Sequence, residues 1–258
     1  MEKIVILGAG NLAFHLAQRL QDQGLQVLQI YSRKITKARR LAKLVQANAT
    51  KQLAAIDPKA DLYIIAVADN AIGEVAQEIS IHLPKTALVV HTSGATPSTV
   101  LRPHFKRYGI FYPLQSFSMA RPVDFDQLPI CIDAKTKRDQ KLLFKLATRI
   151  CPNVHLINDE QRAILHVAAV FVNNFTNHLF DIGQQIVAEQ SIDFALLKPL
   201  IAETAAKVQD NLPAKMQTGP AVRNDQKTIA RHLAYLEKFP AYAAIYQLLS
   251  QSILSRKG

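Results

Sequence analysis

Apolar residues fall in short unbroken runs through the first 157 positions and in spaced helical repeats after them. Lys3-Ile4-Val5-Ile6-Leu7, Gln26-Val27-Leu28-Gln29-Ile30, Asp61-Leu62-Tyr63-Ile64-Ile65-Ala66-Val67, Ala87-Leu88-Val89-Val90 and Gly109-Ile110-Phe111-Tyr112 have the length and continuity of strands covered on both faces. Residues 128–133 and Val154-His155-Leu156 predict two more strands. Between them, residues 14–20, 36–47 and 135–150 read as helices, as does a stretch capped by Asp69 or Asn70 and running to about 82. Strand and helix alternate, so the pattern predicts an α/β fold: a Rossmann domain with a mostly parallel sheet and helices on both faces.

The character changes at Asn158-Asp159-Glu160, where two acids suit the start of a helix. From there to Arg256 the pattern is helical, with breaks at Ser191-Ile192-Asp193, Leu212-Pro213, Gly219-Pro220 and Phe239-Pro240. The expected organisation is a dinucleotide-binding domain over 1–157 and an all-α domain over 158–258. Residues 163–180 carry no formal charge and approach the length of a membrane span. They also carry His166, Asn173, Asn174, Thr176, Asn177 and His178, which are expensive in lipid. The expectation is a buried helix of a water-soluble domain.

Composition narrows the class. The 258 residues are 49% hydrophobic and 20% charged, as in globular proteins. A net charge of +11 raises nucleic acid as a partner. The cations are dispersed, however, over 34–43, 135–149 and the terminal pair Arg256-Lys257. Lys137, Arg138, Lys141, Lys145 and Arg149 alternate with Leu142, Leu143, Leu146 and Ile150, as on the wet face of one helix. Neither nucleic acid nor membrane is expected; the charge serves to attract an anionic cofactor and substrate. Cys131 and Cys151 have neither metal nor disulfide spacing, and no signal peptide opens the chain, which points to the cytoplasm. His91 and His166 lack the accompanying ligands of a metal site, so none is expected.

The first strand runs into Gly8-Ala9-Gly10-Asn11-Leu12-Ala13, a Gly-x-Gly-x-x-Ala turn opening a helix. Gly8 permits the tight turn, Gly10 lets a pyrophosphate approach the backbone, and Ala13 keeps helix and strand close. Free N–H groups and the helix dipole then face the phosphates. The second strand ends at Tyr31-Ser32-Arg33-Lys34, where an NAD site would carry an acid. No Asp or Glu occurs between Asp22 and Asp57, and Ser32, Arg33 and Lys34 suit a 2′-phosphate, so NADP is expected over NAD. Ligands in such sheets lie beyond the carboxyl ends of the strands. Val67, Ala68, Asp69, His91 and Thr92 are therefore expected near the cofactor, and Ser93 and Gln115 near the substrate.

At about 100° per residue, His166, Asn173 and Asn177 fall within about 40° of one another on a helical wheel. His166 is the candidate general acid, and the two amides are candidates to orient a carbonyl or imine. Arg223, in an interhelical loop, suits a substrate carboxylate or phosphate. Each has a plainer alternative: His91 as a hydrogen-bonded strand-end residue, Ser93 as a turn and helix cap, His166, Asn173 and Asn177 satisfying one another or a partner subunit, and Arg223 paired with Asp225 or a helix end.

The N-terminal half resembles the Rossmann domains of pyrroline-5-carboxylate reductase and of the coenzyme-F420-dependent NADP oxidoreductases. His91-Thr92-Ser93-Gly94, the run from Tyr112 to Phe117, the run from Asn173 to His178 and the run from Gln217 to Asp225 resemble the Rossmann-like oxidoreductases with the C-terminal domain of unknown function 2520. That resemblance implies a helical second domain of the 6-phosphogluconate dehydrogenase type, commonly used for dimerisation, and hence a homodimer. It implies an NADP(H)-dependent oxidoreductase moving hydride to or from a small carbonyl or imine in the interdomain cleft. The alternative is a non-catalytic NADP-binding sensor or regulatory protein. Related reductases often place a lysine on the helix facing the nicotinamide, and residues 163–180 hold none. The substrate stays open, with a deazaflavin among the acceptors allowed.

Overall fold

In the computed structural model residues 1–256 are described; Lys257, from the terminal basic pair, and Gly258 lie outside the described residues. The chain forms two compact units, residues 1–173 and 174–258.

The strands of the first unit are β1 (Lys3–Leu7), β2 (Gln26–Tyr31), β3 (Asn48–Thr50), β4 (Leu62–Ile65), β5 (Leu88–His91), β6 (Arg107–Pro113), β7 (Ile130–Ala134) and β8 (Val154–Leu156). Among the described residues they form one eight-stranded sheet in the order β3-β2-β1-β4-β5-β6-β7-β8. Every pairing is parallel except β6 with β7. Its helices are α1 (Asn11–Asp22), α2 (Ile35–Leu44), α3 (Ile72–Ser80), α4 (Lys137–Ile150) and α5 (Asp159–Ala169). The sheet is the mostly parallel Rossmann sheet expected. β3 is an addition that no apolar run announces.

The unbroken apolar runs have a direct cause. Ile4 and Ile6 face one core with Leu16, Leu20, Ile30 and Leu143, while Val5 and Leu7 face another with Ile65, Ile72, Val75 and Leu101. Helices cover both faces, so neither parity of side chain can be polar. Local signals set the helix starts. Asn158 and Gln161 form a capping box on α5, and the acids Asp159 and Glu160 occupy its first turn. Thr136 caps α4 by accepting the Asp139 N–H at 3.1 Å. Asp139 is almost wholly enclosed and pairs with Arg107 of β6 at 2.5 Å. At α3 the expected cap is replaced: a 3-10 turn, Asp69–Ala71, comes first, and neither Asp69 nor Asn70 caps the helix through its side chain.

The second unit is helical: α6 (Thr176–Ala188), α7 (Lys198–Asp210), α8 (Gln226–Leu236) and α9 (Pro240–Ser255). The breaks fall at the expected Asp193, Pro213 and Pro240. The last strand ends at Leu156, while the two compact units divide between Asn173 and Asn174. That division falls inside a π turn, Val170–Phe175, through which α5 continues into α6.

The buried helix expected over 163–180 is corrected. In the single chain Ile164 is 66% exposed, Val167 58%, Phe171 62% and Val172 76%. Leu165, Ala169 and Val170 on the same stretch are half-buried, so the segment is covered on part of its surface only. Among the described residues, no helix is long and apolar enough to cross a membrane.

Candidate functional site

A cavity of about 540 Å³ lies at the carboxyl ends of β2, β1, β4 and β5. Its floor is the turn from β1 into α1. Gly8 has φ +138°, and a Cβ there would overlap the Ala66 carbonyl, so only glycine fits. A Cβ on Gly10 would meet nothing within 4 Å and would project into open space. No side chain caps the α1 N-terminus. Its first N–H groups are thus available, beside a space that glycine leaves open, as a pyrophosphate requires. Ala13, fully buried, seats α1 on the sheet.

At the β2 end the cavity is lined by Tyr31, Ser32, Arg33 and Lys37. Lys34 does not line it; the Ser32 hydroxyl accepts its N–H at 3.3 Å, which turns the chain into α2. Lys37, one turn into α2, supplies the second cation. Among the described residues neither Arg33 nor Lys37 is paired with a carboxylate, which fits a 2′-phosphate. Glu74 and Glu78 of α3 also line this cavity and escaped the sequence reading. Burial, then Glu78, push the Tyr31 phenol above its ordinary pKa. Val67, Ala68, Asp69 and Thr92 close the other end.

His91 and Ser93 do not line the cavity. His91 has no exposed surface. Its Nδ1 accepts the Ser93 N–H at 3.2 Å and its Nε2 stands 3.3 Å from the Pro97 carbonyl, which assigns the proton to Nε2. Burial pushes the imidazole down to about 4, so it is neutral at pH 7. Ser93 Oγ accepts the N–H groups of Ala95 and Thr96 at 3.2 and 2.9 Å. Both residues hold the loop after β5. A buried cation holds it too. Arg162 of α5, 1% exposed, donates to Asp159 at 2.7 Å and to the Thr96 carbonyl. Asp159 also accepts the N–H and hydroxyl of Ser98, both at 2.8 Å. Burial alone would raise the Asp159 pKa; the Ser98 and Arg162 hydrogen bonds outweigh it and hold the carboxyl below its usual range.

His166 stands against this loop. Its Nδ1 lies 3.4 Å from the Tyr112 hydroxyl. Asn173 is exposed. A π turn closes i→i+5 hydrogen bonds and winds less per residue than an α-helix, so the wheel that aligned Asn173 with His166 does not carry through it. Gln115 lies in a different cavity, of about 410 Å³, built from the long loop 114–129. That loop is tethered to α1: Asn11 Nδ2 donates to the Phe117 carbonyl at 2.9 Å, and His15 Nε2 lies 2.8 Å from that of Ser118. Asn177 and Arg223 belong to the second unit, and both are exposed there. Asp225 caps α8 through the Thr228 N–H at 3.0 Å, and with the hydrogen bonds to Thr228 the nearby Arg223 charge helps hold its carboxyl below the usual range. Among the described residues no cluster of His, Cys, Asp or Glu suits a metal.

The family model described as NADP oxidoreductase coenzyme F420-dependent matches residues 3–94, and that of the domain of unknown function DUF2520 matches 128–253. A solved structure titled putative NADP oxidoreductase, from Bacteroides fragilis, is 42% identical over 98% of both chains, with a TM-score of 0.94. The chain belongs to this NADP oxidoreductase family. The family's cofactor is NADP, the one expected from Ser32, Arg33 and Lys34. More distant members of the fold include a Thermotoga maritima protein (22% identity, 97% and 96% covered, TM-score 0.72). They also include a reductive aminase from Aspergillus terreus solved with NADPH and ethyl-5-oxohexanoate (16%, 100% and 95%, 0.70). Among curated proteins no match is found.

Proposed function

We propose that this oxidoreductase uses NADP(H) to reduce a small carbonyl or imine, or to run the reverse oxidation. One observation carries the reading: a single cavity starts at Ser32, Arg33 and Lys37, crosses the uncapped start of α1 at Gly10, and ends at Val67, Asp69 and Thr92. Arg33 and Lys37 take the 2′-phosphate, and the Gly8–Ala13 turn takes the pyrophosphate. The nicotinamide then faces Val67, Asp69 and Thr92. When bound, NADPH supplies the hydride. The chain's task is to hold the acceptor within about 3–3.5 Å and to polarise it with fixed donors. Of the expected donors His166, Asn173 and Asn177, His166 is the one proposed, because its ring packs against Tyr112 and the loop after β5.

Fluorescence titration tests the cofactor assignment. Arg33→Ala removes a charge-assisted hydrogen bond worth about 1.5–3 kcal/mol, so NADPH affinity should fall roughly tenfold or more while NADH affinity holds. Equal losses for both cofactors refute it. NADPH consumption across a panel of aldehydes, keto acids and imines tests the reaction; a wild-type chain that binds NADPH and consumes none refutes the catalytic reading in favour of a sensor.

A further inference from the structure

We propose that Tyr112 is the proton-transfer residue of this reaction, working through a hydroxyl–imidazole pair with His166 beside Gly94. The proposal rests on the oxidoreductase reading above and names the atom that moves the proton.

Topology places Tyr112 at the reacting end. The cavity passes from the end of β2 over β1 and β4 to Thr92 after β5. The next strand in the sheet is β6, and Tyr112 sits at its carboxyl end. A dinucleotide whose adenosine lies at Arg33 has its other end on the β5 side, next to that position.

The packing is specific to this pair. The two rings meet edge-on, with centroids 6.5 Å apart and planes at 68°. Tyr112 Oη and His166 Nδ1 are 3.4 Å apart, a long hydrogen bond of the kind found in ligand-free sites. A Cβ on residue 94 would lie 2.5 Å from Nδ1 and 2.8 Å from Oη. Gly94 does not have the positive φ of Gly8, Gly24 or Gly219, so it is the missing side chain, and not the backbone, that this position needs.

The surroundings keep the phenol a donor. Asp69 faces it from the turn after β4, Cys131 from β7, and Arg162 and His166 from α5. Burial raises the Tyr112 pKa, Cys131 and Asp69 add to this, and the buried Arg162 cation works against them. The hydroxyl is therefore protonated at neutral pH, and Arg162 eases formation of the phenolate. In the reductive direction the acceptor carbon receives hydride, and its oxygen or nitrogen takes the proton from Oη. The Tyr112 O–H bond breaks and a substrate O–H or N–H bond forms. The phenolate then takes a proton from His166 Nδ1 as the half-buried imidazole takes another from water at Nε2, so the Nδ1–H bond breaks while Oη–H and Nε2–H bonds form.

Tyr112→Phe and Gly94→Ala in the full chain test this. NADPH affinity, read by fluorescence, should be unchanged in Tyr112→Phe, which also confirms its fold. NMR titration of the His166 imidazole in the cofactor-free protein should show a moved midpoint in both variants. Turnover with the best panel substrate should fall about a hundredfold or more in Tyr112→Phe, the usual worth of a general acid. Unaltered turnover, or a His166 midpoint that stays in place, overturns the proposal and leaves the oxidoreductase reading standing. A wild type that binds NADPH but consumes none with any panel member overturns that reading and this proposal with it.

Discussion

Single residues in this chain acquire their roles from what encloses them. His91 is buried and neutral, held at a pKa of about 4 by desolvation. In the unfolded chain it takes up a proton near its ordinary 6.5. Between those values the unfolded state binds more protons, so stability rises with pH there and is lost as pH falls from about 6.5 to 4. The gap is worth roughly 3 kcal/mol at most. Urea unfolding at pH 7 and pH 4.5 should show this loss in the wild type and a smaller one in His91→Gln; equal losses would dismiss His91 as the source. Residues of the cofactor end were legible because their chemistry is local: Gly8, Gly10, Ala13 and Arg33 lie within one strand–turn–helix unit or at the next strand end. Lys37, Glu74 and Glu78 stand one or two turns into their helices, where helical spacing from the strand ends was the available signal. Arg162 was not legible. It reads as one more helix cation, and only the fold brings it to Thr96, 66 residues away. His166 stood out as a candidate acid, but its pairing with Tyr112, 54 residues away, was hidden in the same way.

Elements followed the hydrophobic pattern wherever burial on two faces dictated it. Ile4 to Leu7 of β1, Leu62 to Ile65 of β4 and Leu88 to Val90 of β5 are all buried because parallel strands under two helical layers have no wet side. β3, an Asn-Ala-Thr segment, owes its form to pairing with β2, and no run of its own marks it. The reversed direction of β7 comes from the loop that leads into it, and the π turn from backbone hydrogen bonding; neither has a residue signature. The join between α5 and the loop after β5 also depends on side chains that the pattern leaves unpaired. Asp159→Ala would strip Arg162 of its carboxylate in a site where the guanidinium is 1% exposed and its Nε already lacks a partner. Removing one member of a buried pair costs about 3–5 kcal/mol. Thermal unfolding should therefore show a midpoint lowered by roughly 10 °C for a chain of this size. Asp159→Asn, which still accepts from Ser98, should lose less. A wild-type midpoint in Asp159→Ala would mean that the loop is held by other contacts.

For the molecule as a whole, α5 and the π turn after it leave apolar side chains exposed in the single chain. Ile164, Val167 and Val172 are all more than half exposed. Exposed large apolar side chains grouped on one segment mark an interface in water, and the expected occupant is a second copy of the chain. Light scattering should return twice the 28.7 kDa chain mass at micromolar concentration, and Ile164→Lys with Val167→Lys should return the single mass. A wild-type monomer would sink the assignment. An interface on this segment would also make the amount of protein a thermodynamic variable. A partner that binds only the folded chain stabilises it by mass action. Dilution alone should then lower the melting temperature of the wild type, and the double lysine variant should melt at one temperature at every concentration.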